Sequence, residues 1–128
     1  MVAARYAYVV LAWAFLVGVL VQVFLIGLGL FGEPDAVELH VNLGWILHLF
    51  PILIVIAAAL ARVGRRRILQ AGALAAIVFV VPILPSLRDG APVVAALHPV
   101  LAMLAFGAAA GVAVTATRFM QTGRAIPD

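Results

Sequence analysis

The sequence predicts an all-α integral membrane protein: an up-down-up-down four-helix bundle in one domain, residues 1–128. Three observations carry this. First, 67% of the 128 residues are hydrophobic and 10% are charged, with a mean hydropathy of +1.27, whereas soluble domains are roughly half apolar. A chain this short has too little interior to hide so many aliphatic side chains, so the surplus faces lipid. Second, the apolar residues fall into four runs, about 7–31, 39–61, 68–84 and 92–117. Each is long enough to cross a bilayer, since about 20 residues (17–25) span roughly 30 Å of hydrocarbon. Third, none of the runs alternates polar and apolar residues as a membrane β-strand does. There is no cysteine, which removes the disulfide-stapled secreted module. The composition likewise excludes a soluble enzyme and a disordered tail.

The first run, Ala7 to Phe31, exceeds the 7–15 residues of a signal-peptide core and lacks a small-residue cleavage site before Glu33, so it reads as a span. The second runs from Leu39 to Ala61, the third and shortest from Ile68 to Leu84, the fourth from Pro92 to Thr117. The connections Gly32–Glu38, Arg62–Arg67 and Pro85–Ala91 leave no room for a soluble catalytic domain. Connections this short make successive helices antiparallel neighbours.

The net charge of +3 does not point to nucleic acid. The eight basic residues are all arginine, and they flank apolar runs instead of gathering on a polar face. Arg65, Arg66 and Arg67 read as an anchor at one membrane surface. With Arg5, Arg62, Arg118 and Arg124 they make seven arginines at the N-terminus, the second connection and the C-terminus, against Arg88 alone in the other connections. The positive-inside rule then places both termini in the cytoplasm. Glu33, Asp35, Glu38 and Asp89 fall on the outer side.

Polar residues kept inside a membrane are the informative ones. Here they are Gln22, His40, Asn42, His48, His98 and, near an end, Thr115. No carboxylate lies deep in a span, which argues against a proton-coupled transporter and against paired-carboxylate hydrolysis. No Ser or Cys is partnered with a base at depth, so no catalytic residue is nominated and Ser86 reads as a turn cap. A binding or electron-transfer protein is expected ahead of an enzyme.

The histidines are therefore the candidates. His40, Gly44 and His48 follow in steps of four on one ridge of the second span. Gly44 either packs another helix closely or admits a flat ligand. His98 is followed by Pro99, and Pro51 lies three residues after His48; each proline removes a helical donor and bends the chain beside an imidazole. Counted from Leu39 and Pro92 at 1.5 Å per residue, His40 lies about 1.5 Å into its helix, His98 about 9 Å and His48 about 13.5 Å, all in the outer half. His40 and His48 are about 12 Å apart along their helix, too far to share one bare metal ion. Two imidazoles facing each other across a bundle suit haem iron, with His98 as one ligand and His40 or His48 as the other. Trp45, Phe50, Phe79, Phe106, Met103, Ala102 and Ala105 are candidate walls. Arg88, the one outer arginine, could pair with haem carboxylates or simply with Asp89 or a lipid phosphate.

On these residues the chain resembles an uncharacterised bacterial family of small four-span membrane proteins, through Glu38-Leu39-His40, Gly44-Trp45, His48 and Leu97-His98-Pro99. More distantly it resembles one four-helix half of haem A synthase, and b-type membrane cytochromes in general. Glu38, His40, Gly44 and His98 match the acid, first histidine, glycine and second histidine of that half-bundle. The resemblance implies haem b held by His40 and His98, in a bacterial plasma membrane. The acid precedes His40 by two residues where those synthases have three, Val41 replaces a polar neighbour, and the cysteine pair of many synthases is missing. The expected partners are the lipid bilayer, a redox partner or quinone, and a second copy of the chain, the last suggested by Gly107 and Gly111 beside Ala105 and Ala109. The alternative expectation is a non-catalytic accessory subunit, or a carrier of lipid-like molecules, whose histidines are structural.

Overall fold

The structure is a computed structural model, and it describes residues 2–123. Arg124, counted above among the arginines of one side, lies outside the described residues. Helix α1 is Val2–Leu30, 29 residues without a proline. It stops where Gly32 takes φ 122°, a left-handed backbone that favours glycine. After Pro34, α2 (Asp35–Leu47) begins with Asp35 and Glu38 in its first turn, where carboxylates complement the helix dipole. The second helix thus starts four residues before its apolar run, because those acids favour a helix start that hydropathy does not register.

The second span bends at His48–Leu49 and resumes as α3 (Phe50–Ala61). Pro51 is the cause: it has no N–H for the carbonyl of Leu47, the last residue of α2. At its far end α3 closes with Val63 N–H donating to Ala58 O at 3.3 Å and Arg62 N–H to Ala59 O at 3.1 Å. Arg62 sits at φ 54° and Gly64 at φ 92°, a tight reversal in which an arginine fills the left-handed position usually given to glycine.

Helix α4 (Arg65–Val80) runs into a 3₁₀ segment, Val81–Leu87, which contains Pro82 and Pro85. The two prolines withhold the α-helical donors of Val78 and Val81, so the chain tightens in place of continuing as α. A short α5 (Pro92–Ala95) then breaks at Ala96 before α6 (Leu97–Thr122). Pro99 denies Ala95 its donor. The proline-to-break offset is the same as at Pro51.

Four helical stretches are long and apolar enough to cross a membrane: Val2–Leu30, Asp35–Ala61, Arg65–Leu87 and Pro92–Thr122. In hydrocarbon such helices satisfy their backbone groups internally. They form a ring. Helix α1 packs on α2, α3 and α6, and α4 packs on α3 and α6. Arg5, Arg62, Arg65, Arg66, Arg67 and Arg118 share one end; the described acids and Arg88 share the other.

The interior is filled unevenly. Tyr8, Ala12, Phe15, Ile54, Ala58, Leu74, Val112 and Phe119 belong to one apolar core toward the arginine end. Nearest the acidic end only Ala36 and Leu84 are buried among the described residues. Arg67, expected as a surface anchor, is turned inward and only 4% exposed. Its Nη1 donates to Val63 O at 3.1 Å, and its guanidinium lies 4.9 Å from the centre of the Phe119 ring. An aromatic face and a free carbonyl at the end of α3 offer it more than bulk water at the surface does.

Candidate functional site

The two ends differ in what they hold. The arginine end is packed; the acidic end has fewer buried side chains and contains two of the three histidines. Their pairing follows from where the helices start. His40 is five residues past Asp35 and His98 six past Pro92, so both lie about 7.5–9 Å into their spans. Their ring centroids are 6.3 Å apart with planes at 73°.

Each imidazole is held by a backbone carbonyl of a neighbouring helix. His40 Nδ1 lies 3.0 Å from Gln22 O on α1, and His98 Nδ1 lies 2.8 Å from Val81 O at the start of the 3₁₀ segment. A carbonyl can only accept, so Nδ1 is the protonated nitrogen in both rings, and Nε2 of the neutral ring keeps its lone pair. Val81 O is the carbonyl that Pro85 leaves without an α-helical donor, which gives the prolines of this segment a local role in orienting His98.

Gln22 completes the cluster and was not singled out as a site residue by sequence, although it is the only polar side chain deep in α1. Its Oε1 is buried and has no hydrogen-bond partner. A Cβ added at Gly44 would meet Gln22 Nε2 at 2.8 Å; the glycine makes room for the carboxamide beside His40. Substituting Gly44 with leucine should therefore force α1 and α2 apart and destabilise the bundle by about 1–3 kcal/mol, read as a fall in melting temperature in detergent. Gly18 does the same for Leu47 one turn along the interface, where an added Cβ would meet Cδ2 at 2.5 Å.

The other nominated residues fall elsewhere. His48, thirteen residues past Asp35, is about 19.5 Å along its span, at the middle of the membrane and not in its outer half. Its ring stands 4.8 Å from Phe79 and 6.1 Å from Trp45, away from the other two histidines. Arg88 is 78% exposed, and its Nε lies 3.8 Å from Asp89. Of the expected walls, Ala105 is buried in the main core, while Met103 and Trp45 face outward. Gly107 and Gly111 also face outward with nothing near enough to touch an added Cβ, whereas the Ala105 and Ala109 strip packs inside.

Chemically, the site offers two imidazoles, each held through Nδ1 by a backbone carbonyl. Among the described residues no group of three or more His, Cys, Asp or Glu side chains could hold a metal ion. Neither the curated proteins nor the solved structures contain a match to this chain. A family model does match, over residues 22–86, just over half of the sequence; it takes in Gln22, His40, Gly44 and His48 and stops short of His98. The chain belongs to DUF6220, a family of unknown function.

Proposed function

We propose that this is a small haem-binding membrane protein in which His40 and His98 ligate one haem b and pass electrons, with both termini in the cytoplasm of a bacterial cell. The observation that carries the reading is the spacing of the two imidazoles. Rings bound on opposite faces of one metal at about 2.0–2.1 Å stand roughly 6.3–6.5 Å apart between centroids, and His40 and His98 stand 6.3 Å apart. The hydrogen bonds add to it. A metal-bound histidine usually donates its other N–H to a carbonyl or carboxylate, which fixes the ring and raises its basicity. The bonds to Gln22 O and Val81 O have that form.

A haem would supply a one-electron couple. His40 and His98 would hold it, and a haem held by two histidines would leave no position for oxygen or substrate. Orientation rests on the arginines gathered at one end. The test is titration of haem into the purified chain in detergent. One haem per chain with a six-coordinate low-spin spectrum is expected, and His48→Ala should titrate identically. Binding that depends on His48 and not on His40 would overturn the assignment.

One observation favours a second reading, an accessory subunit with structural histidines. The His98 imidazole adds a hydrogen bond to Val81 O in the 3₁₀ segment, a role that needs no cofactor. On that reading haem does not bind, and His98→Ala lowers stability alone.

A further inference from the structure

His48 has no part in the histidine pair, yet it presents an unusual environment. It lies near the bilayer midplane by residue count, is half-buried, and makes no hydrogen bond in the structure. Trp45, one turn earlier on the same helix face and 60% exposed, has an indole N–H that is likewise without a hydrogen bond. Phe79 of α4, 57% exposed, closes the other side, its ring 4.8 Å from that of His48. Two polar groups therefore face hydrocarbon between aromatic surfaces. Neither water nor lipid headgroups reach this depth, and an unsatisfied polar group in hydrocarbon is costly. Tryptophan ordinarily places its N–H at the membrane interface; this one is well inside.

We propose that His48, Trp45 and Phe79 form a binding site, open to the lipid, for a membrane-dissolved molecule with a planar ring and a carbonyl oxygen, of the quinone class. The indole N–H can only donate, and the imidazole carries one N–H donor and one acceptor nitrogen, so the complement must carry an acceptor. A flat ring is what the aromatic faces of Trp45 and Phe79 accommodate. A second copy of the chain is a poorer complement. Symmetry about the membrane normal keeps depths equal, so at this level a copy offers another His48, whose unprotonated nitrogen accepts one N–H, and another donor-only Trp45, but no oxygen acceptor, while Asn42 lies about 9 Å nearer the acidic end. The break at His48–Leu49 caused by Pro51 helps to shape the site, because it lets the imidazole lean toward α4. The site is independent of the haem reading and shares no residue with the histidine pair.

The test uses Trp13→Phe, which leaves Trp45 as the only tryptophan, in lipid nanodiscs. A benzoquinone with a decyl tail is titrated against Trp45 fluorescence, with decylbenzene as the ring without oxygen. Saturable quenching is expected with the quinone, unaffected by decylbenzene. It should weaken at least tenfold in His48→Leu and be largely restored in His48→Gln, which keeps a donor. Helix content by circular dichroism checks that each variant is folded, and Phe79→Ala, altering only one aromatic wall, should weaken binding if the leucine variant fails to fold. Linear, non-saturating quenching that is the same with and without His48 would overturn the proposal. So would Trp45 emission that ignores quinone and changes only with dimerisation, the outcome expected if a second copy covers this face.

Discussion

Replacing Phe119 with alanine is expected to destabilise the bundle by about 3–5 kcal/mol, the range for deleting a buried aromatic ring. Phe119 is 2% exposed near the end of α6. The Arg5 guanidinium from α1 lies 4.8 Å from its centre and that of Arg67 from α4 lies 4.9 Å away. One ring thus joins three helices. Lipid tails are as apolar as leucine, so helices in a membrane gain little from the hydrophobic effect between them, and packing and polar contacts carry more of the association. Alanine would leave a cavity and two guanidinium groups without the π face they share. Phe119→Leu keeps most of the volume and loses the ring, so it isolates the cation–π part, about 1–2 kcal/mol for two partly desolvated contacts. Unfolding in mixed detergent micelles measures both. A leucine variant as stable as the parent would show that the arginines gain nothing from the ring.

The second large effect is at His98. On the haem reading proposed above, alanine there would remove one of the two ligating imidazoles, so haem binding should fall below detection; it also removes the imidazole N–H donated to Val81 O, a hydrogen bond worth about 0.5–1.5 kcal/mol. His40→Ala should abolish six-coordinate binding too, with a similarly small loss of stability, because Gln22 O and Val81 O both keep a helical donor. Loss of binding in both variants with little loss of stability separates ligation from carbonyl capping. If His98→Ala keeps a native haem spectrum, His98 is not a ligand.

The bundle was legible in the sequence because the bilayer enforces it: runs of about 20 apolar residues have few alternatives to helices. Short connections gave the antiparallel order, and Pro51 and Pro99 marked both breaks. Which of His40 and His48 stands beside His98 was not legible. It turned on four residues, Asp35 to Glu38, which are polar and so lie outside the apolar run, yet form the first turn of α2. Moving the helix start to Asp35 brings His40 level with His98 and sends His48 to the midplane. Arg67 was misread for a related reason. Within Arg65–Arg66–Arg67 nothing in composition tells which guanidinium faces inward; that depends on Phe119, fifty-two residues away in sequence. Gln22 carried a signal, as the lone polar side chain deep in α1, but its place beside Gly44 and His40 depends on the packing of α1 against α2.

The most direct measurement is the visible absorption spectrum of the purified chain, oxidised and then reduced. A sharp Soret band with split bands on reduction, at one haem per chain and lost in both His40→Ala and His98→Ala, is the result expected of a bis-histidine haem protein. A colourless preparation from haem-supplemented cells would contradict it and leave the histidines as structural caps.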